Sequence, residues 1–104
     1  MERVEYFRNY RRHLREIVEL VSAHLKEFEV YVFGSIVKGD YSVGLSDIDV
    51  AIVSDEFKNR EKRLRVYDVL FEKYFDSPFE FHLLTREKWS FFLRFIGNEF
   101  ERFK

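Results

Sequence analysis

The chain has 104 residues, a length that predicts a single domain over residues 1–104. Its 46% apolar content is ordinary for a globular protein, and its 18 basic and 19 acidic residues leave a net charge of -1, which excludes a global field that recruits nucleic acid or an anionic membrane. Cysteine is absent, so disulfides, thiolate metal sites and cysteine nucleophiles are excluded.

The first predicted element is a long amphipathic helix from Glu2 to Phe28. Its apolar residues recur every three or four positions, with charged residues between them, as on the buried stripe of a helix. They are Val4, Phe7, Tyr10, Leu14, Ile17, Val21, Leu25 and Phe28. The segment that follows, EVYVF at residues 29–33, is β-branched and aromatic and ends at Gly34, so it predicts a buried strand.

Residues 36–46 contain glycine, serine and aspartate and predict a short helical turn followed by a loop. After this loop, DIDVAIV at residues 47–53 predicts a second strand. The period of two along a strand places Asp47 and Asp49 on one face and an apolar row on the other.

The third part of the chain predicts a helix that Ser54 caps and that ends before Pro78. Its helical stripe consists of Phe57, Leu64, Tyr67, Leu70, Phe71 and Tyr74. The basic residues on this helix are interleaved with acidic ones, which favours a solvated face over a nucleic-acid patch.

A third strand is predicted over residues 79–84 (FEFHLL), with Glu80 and His82 on one face. Thr85 is expected to cap a last helix that stops at Gly97, and the tail NEFERFK is short and amphipathic. The order of elements predicts an α/β (α+β) fold, in which helices pack on a small mixed β-sheet.

The candidate chemistry lies in the segment from Gly34 to Val53. Asp47 and Asp49 are expected to project to the same side, roughly 6.5 to 7 Å apart, so their oxygens can converge on a hard divalent cation. Two like charges on a strand this apolar otherwise repel each other. Glu80 on a neighbouring strand can add a third carboxylate, whereas His82 is interpreted as a satisfied strand histidine or as a residue that supports a ligand, rather than as a metal ligand.

A Gly-Ser pair, Gly34 and Ser35, stands at the end of the first predicted strand and opens a short helix. Glycine lets a phosphate approach the backbone, and a helix N-terminus and a serine hydroxyl supply donors. Three acidic groups, two metal ions and a triphosphate together form the neutralising assembly of an in-line phosphoryl displacement.

These motifs resemble the signature of the polymerase-β-type nucleotidyltransferase superfamily. The matching residues are Phe33, Gly34, Ser35, Asp47, Ile48, Asp49 and Glu80. The chain is most similar to the smallest branch, the minimal nucleotidyltransferases that accompany HEPN-domain proteins in prokaryotic toxin–antitoxin pairs. The resemblance implies a polymerase-β-like core, two Mg²⁺ or Mn²⁺ ions, and ATP or another nucleoside triphosphate as substrate.

The resemblance also implies a role for each matching position. Gly34 and Ser35 would hold the phosphates of the nucleotide, and Lys38 falls where many relatives carry an arginine that touches phosphate. Asp47 and Asp49 would bind the metals, and Glu80 would bind the second metal and help to activate the acceptor hydroxyl. The third acid is Glu here, whereas Asp is more frequent in the family.

Three functions follow from different classes. The first is transfer of a nucleoside monophosphate, most plausibly AMP from ATP, to a hydroxyl on a partner protein; the resemblance implies that this partner is a HEPN-family toxin. The second is an inactive or weakly active nucleotide-binding antitoxin that occludes its partner. The third, tailing of nucleic acid, is disfavoured by the near-zero net charge.

Other features concern partners and source. Aromatic residues make up 19% of the chain, more than a small core encloses, which predicts an interface with a partner, and a homo-oligomer is left open. The charged N-terminus and the lack of a long apolar segment favour a cytoplasmic protein with no membrane contact. Charged residues reach 36% and glutamine is absent, a composition typical of proteins from hot habitats.

Overall fold

The computed structural model describes residues 2–104, in which five α-helices pack on a four-stranded mixed sheet. The helices are α1 (Arg3–Arg8), α2 (Tyr10–Ser22), α3 (Ser35–Lys38), α4 (Arg60–Tyr74) and α5 (Arg86–Ile96), with a 3-10 helix at Asp55–Lys58. The strands are β1 (Glu29–Phe33), β2 (Ile48–Val53), β3 (Phe79–Leu84) and β4 (Phe100–Arg102). The predicted α/β class with a small mixed sheet is confirmed.

The strand order is β3-β2-β1-β4. β1 pairs antiparallel with both β2 and β4, whereas β2 and β3 run parallel to each other. The start of β2, the start of β3 and the end of β1 therefore lie at the same end of the sheet. The residues proposed for chemistry from the sequence lie at this end.

Each face of the sheet has its own core. On one face Val32 and Val50 are buried with the apolar residues of α2 and α4, including Ile17 and Leu70. On the other face a smaller cluster is built around Trp89 of α5, and its members from the sheet are Tyr31, Phe33, Ala51 and Val53. Asp49 and Ala51 are two residues apart on β2, so their side chains lie on the same face of the sheet, the one that α5 covers.

The predicted N-terminal helix is wrong in its continuity and in its end. Asn9, with φ of -114° and ψ of 26°, separates α1 from α2, and its backbone N–H bonds to the carbonyl of Glu5. Helix α2 ends at Ser22, yet Leu25 and Phe28 are still buried beyond it. Asparagine is a weaker helix former than leucine, arginine or glutamate, and the helix is interrupted at Asn9 although the apolar spacing continues unbroken.

The helix predicted after Ser54 begins later than expected. Ser54 caps the 3-10 helix by accepting a hydrogen bond from the N–H of Glu56. Asn59 caps α4 in the same way, because its side chain accepts a hydrogen bond from the N–H of Lys62. The predicted end before Pro78 is confirmed, and so are the cap at Thr85 and the stop at Gly97 for α5.

The C-terminal tail, predicted only as short and amphipathic, forms the strand β4. β4 pairs with β1 through Tyr31↔Arg102, Val32↔Glu101 and Phe33↔Phe100. It covers the edge of β1, so the outer strands of the sheet are β3 and β4. In the described part of the chain, residues 2–104, no helix is long and apolar enough to cross a membrane.

His13 is a polar residue in the larger core. It is 4% exposed, and both of its ring nitrogens lack a hydrogen-bond partner. Its ring lies among Tyr6, Tyr74 and Phe79, with centroids 4.8 to 5.9 Å away. Burial lowers the pKa of His13 below the ordinary value of 6.5, although Glu16 opposes this shift. The folded protein therefore holds this imidazole neutral.

We expect the free energy of unfolding to fall as the pH drops below about 6.5. The unfolded chain takes up a proton on His13 in that range and the folded chain does not, so the loss reaches about 1.4 kcal/mol per pH unit until the folded pKa is passed. Denaturant unfolding at pH 7.5, 6.5 and 5.5 measures this loss, and His13→Leu should flatten the dependence. Equal slopes for the two proteins would contradict the expectation.

Candidate active site

Asp49 of β2 and Glu80 of β3 are direct neighbours across the parallel pair. His82 of β3 joins them, because its Nε2 lies 3.2 Å from Oδ1 of Asp49 and 3.9 Å from Oε1 of Glu80. One ligand atom from each of the three residues lies within 4.8 Å of the others. The chain thus brings two carboxylates and an imidazole to one point near the end of the sheet.

His82 lies where it supports Asp49, in line with its interpretation from the sequence. A carboxylate can only accept a hydrogen bond, so in the bond between His82 and Asp49 the Nε2 of His82 carries the proton and donates it. Phe33 and Phe92 pack against the imidazole at centroid distances of 5.1 and 5.7 Å. The ring is therefore held between aromatic side chains and fixes the orientation of Asp49. The period of two along the third strand placed His82 on the same face as Glu80, but its contact with Asp49 depends on the pairing of β2 with β3.

The two carboxylates differ in access. The side chain of Asp49 is 23% exposed and that of Glu80 is 54% exposed, so Glu80 is the one that a second substrate can reach. Partial burial raises the pKa of Glu80 above its usual range, and the charge of Asp49 raises it further. A carboxylate with a raised pKa is a better proton acceptor at neutral pH than an ordinary glutamate.

Asp47 is not a member of this group of three, but its side chain lies beside that of Glu80. β2 begins at Ile48, so the predicted start of the strand at Asp47 is wrong by one residue, and Asp47 stands in the loop just before it. Its charge raises the pKa of Glu80, and the two line a common groove. Arg3 of α1 holds this loop by donating to the carbonyl oxygens of Val43, at 2.7 Å, and Ser46.

Gly34 lies beside Asp49 at the end of β1. Its φ of +86° and ψ of -153° lie in a region that is essentially restricted to glycine. A Cβ at this position would stand 2.6 Å from Oδ2 of Asp49. Ser35 follows as the first residue of α3, where the leading backbone N–H groups have no partner within the helix. The turn and the carboxylates are therefore adjacent.

Lys38 is not brought to the carboxylates. It ends α3, and its Nζ lies 2.9 Å from Oε2 of Glu99 in the segment between α5 and β4. This partner raises the pKa of Lys38. The pair ties the short helix to the C-terminal segment.

The donor set fits a divalent cation. Two carboxylates converge at Asp49 and Glu80, and oxygen ligands of this kind suit Mg²⁺ and Mn²⁺. Among residues 2–104, no cationic Lys or Arg side chain forms an ion pair with Asp47, Asp49 or Glu80. A bound cation would therefore supply charge compensation that the described chain does not.

The sequence profile of the family described as "Nucleotidyltransferase domain" matches residues 13–104. This chain belongs to that family. The matched region includes all four strands and every residue of the candidate site, so the predicted superfamily is confirmed at this level. Nucleotidyltransferase domains generally use a divalent metal and a nucleoside triphosphate, and the carboxylates of this domain stand where such a metal could bind.

Two solved structures are similar to this nucleotidyltransferase domain, and each carries the description "putative nucleotidyltransferase". One is 49% identical, with a TM-score of 0.77, and the match covers 86% of this chain and 96% of that one. The other, from Sulfolobus solfataricus, is 22% identical, with a TM-score of 0.65, and the match covers 98% of this chain and 86% of that one. At this identity the similarity supports the fold alone. The predicted polymerase-β-like fold is thereby confirmed. No curated protein matches this chain significantly.

Proposed function

We propose that this domain transfers AMP from ATP to a hydroxyl group on a partner protein, in a reaction that requires Mg²⁺ or Mn²⁺. The observation that carries the proposal is the convergence of Gly34, Asp49 and Glu80 from three adjacent elements at one end of the sheet. A phosphate-binding turn beside paired carboxylates is what nucleotidyl transfer needs.

Each residue has a role in this proposal. The turn at Gly34 and Ser35 holds the phosphates, and Asp47 and Asp49 hold the two metal ions together with Glu80. When bound, these ions neutralise the triphosphate and the departing pyrophosphate. Lys38 lies four residues after Gly34, so it contributes to phosphate binding only if its ammonium leaves Glu99.

Glu80 has a second role, as the group that receives the proton of the acceptor hydroxyl. The acceptor oxygen then bonds to the α-phosphorus, the bond from that phosphorus to the bridging oxygen breaks, and pyrophosphate leaves. The exposure of Glu80 and the direction of its pKa shift both suit this role.

The partner proposed here is the one that the sequence resemblance implies, a HEPN-family toxin that the transfer would silence. Support for a protein partner comes from the exposed aromatic side chains on and beside α4, among them Tyr67, Phe71 and Phe75, which are 44% to 68% exposed. Exposed apolar side chains in this number are typical of a contact surface.

The experiment that tests the proposal is ATP binding by calorimetry with and without Mg²⁺, followed by label transfer from α-labelled ATP to a co-purified HEPN protein. We expect Mg²⁺-dependent binding that weakens at least about 10-fold in Asp47→Ala plus Asp49→Ala, because the cation then loses two of its three carboxylates. Unchanged affinity would contradict the metal site. Tight ATP binding without any labelling would favour an antitoxin that acts by occlusion.

A further inference from the structure

A groove runs between the second half of α4 and the start of β3. Its volume is about 350 Å³, and its walls include Tyr67, Phe71, Phe75 and Phe81. The carboxylates of Asp47 and Glu80 also line this groove, and none of its lining residues is basic. An aromatic surface thus leads directly to the acidic end of the candidate active site.

The groove lies on one defined side of the carboxylates. Gly34 follows β1, Asp49 is on β2 and Glu80 is on β3, so the phosphate turn and the groove flank the acidic residues from opposite sides. In an in-line transfer the attacking and leaving oxygens stand on opposite sides of the phosphorus. An occupant of the groove can present an oxygen at Glu80 while the phosphates lie at the turn beyond Asp49.

We propose that this groove binds the acceptor, a polypeptide segment that presents its hydroxyl-bearing side chain to Glu80. The inference rests on the proposed function and assigns the site of its second substrate. In the reaction the hydroxyl proton passes to Glu80, the oxygen bonds to the α-phosphorus, and the bond from that phosphorus to the bridging oxygen breaks as pyrophosphate leaves.

The extent of the aromatic surface argues for a protein. Leu64, Tyr67, Phe71 and Phe75 form a ridge along α4 in which each side chain is 44% to 68% exposed. The ring centroids of Tyr67 and Phe71 are 6.0 Å apart, and those of Phe71 and Phe75 are 6.1 Å apart. From residue 64 to residue 75 the ridge extends roughly 16 Å along the helix. A small acceptor would leave most of it uncovered.

The charge of the groove argues against nucleic acid. Single-stranded nucleic acid binds along grooves that combine stacking side chains with cations for its phosphates. This groove has the aromatic rings and two carboxylates but no cation. Beyond the metal ions proposed at its carboxylates, the groove offers no basic side chain for the further phosphates of a nucleic-acid strand, whereas a polypeptide needs none.

The edge of the sheet supplies a further reason. β3 has β2 on one side only, so in residues 2–104 its outer edge has no strand neighbour. An extended acceptor segment can pair with these free backbone groups while its side chains contact the ridge on α4.

The test compares acceptors and variants. An array of peptides with a central Tyr, Ser or Thr and an oligonucleotide with a free 3′-hydroxyl are incubated with α-labelled ATP and wild-type protein. We expect label on peptides, and for the best peptide we expect Phe71→Ser to raise KM at least about 10-fold with ATP affinity unchanged. Tyr67→Ser, which removes the neighbouring ring, should also raise KM. Phe71→Tyr, which keeps the ring, should leave KM at the wild-type value.

The matched control is Phe91→Ser. Phe91 lies on α5 and is 57% exposed, close to the 55% of Phe71, but it does not line the groove. We expect its KM to equal that of the wild type, and melting curves to show that both serine variants are folded.

The other outcomes separate the two proposals. Peptide labelling that is equal in wild type, Phe71→Ser and Tyr67→Ser overturns the groove and leaves the transfer intact. Label only on the oligonucleotide contradicts the proposal that the acceptor is a polypeptide. If the wild type is a dimer that Phe71→Ser dissociates, the ridge binds a second copy of this chain, and the proposal that it binds the acceptor is wrong. ATP binding with no label on any acceptor overturns the transfer and the groove together.

Discussion

Gly34→Ala should lower nucleotidyl transfer at least about 100-fold. The added Cβ would stand 2.6 Å from Oδ2 of Asp49, so the carboxylate must move from the position in which His82 holds it. A misplacement of about 1 Å in a reacting group is enough for a loss of this size. We also expect the protein to lose about 1–3 kcal/mol of stability, because alanine does not readily adopt the backbone conformation of Gly34.

Gly97→Ala separates the two effects. Gly97 has φ of +59° and ψ of -125°, and nothing lies within 4 Å of the Cβ that alanine would add there. The control therefore carries backbone strain without a contact at the active site. Thermal melting should show both variants folded but destabilised, with ATP binding and label transfer lost at Gly34 alone. Equal losses of transfer in the two variants would assign the effect to general destabilisation.

The strands of the central sheet could be predicted well because local signals define them. β1 and β3 have the predicted bounds, since each is a β-branched or aromatic run that glycine or proline delimits. β4 could not be found in this way. It has three residues with a single apolar side chain, Phe100, and it exists because β1 offers it an edge. Pairing between residues about 70 positions apart leaves no local pattern.

Helix α4 shows the limit of apolar spacing as evidence for burial. The predicted stripe combined Leu70 and Tyr74, which are buried, with Tyr67 and Phe71, which are 44% and 55% exposed. The true buried face includes Val66 in their place. A helix with apolar residues on two faces gives one continuous three-to-four spacing, so the sequence does not tell the core face from a contact face.

The site was only partly accessible from the sequence. The neighbouring positions of Asp49 and Glu80 followed from the motif, and the structure places them opposite each other on β2 and β3. The pairing of Lys38 with Glu99 could not be predicted, because it depends on how the C-terminal segment returns to the sheet. The position of Asp47 just outside β2 depends in the same way on the anchoring of its loop by Arg3.

Glu80→Gln should separate nucleotide binding from transfer. The change keeps the size of the side chain and removes its charge, so it also removes the group proposed to accept the proton of the acceptor hydroxyl. General-base help of this kind is worth roughly 10² to 10⁴ in rate. Asp47, Asp49 and the turn at Gly34 are unchanged, so we expect ATP to bind within a few-fold of the wild-type affinity.

The measurement is label transfer from α-labelled ATP to the partner protein, at saturating ATP, for the wild type and Glu80→Gln. We expect the variant to retain binding in calorimetry and to lose transfer by the factor given above, and Glu61→Gln, an exposed change on α4, to match the wild type in both. Equal labelling by wild type and Glu80→Gln would keep the enzyme and remove Glu80 from its mechanism. A parallel loss of ATP binding would show instead that Glu80 acts mainly in holding the metal-bound nucleotide, because only a group that works in the chemical step changes the rate without changing the affinity.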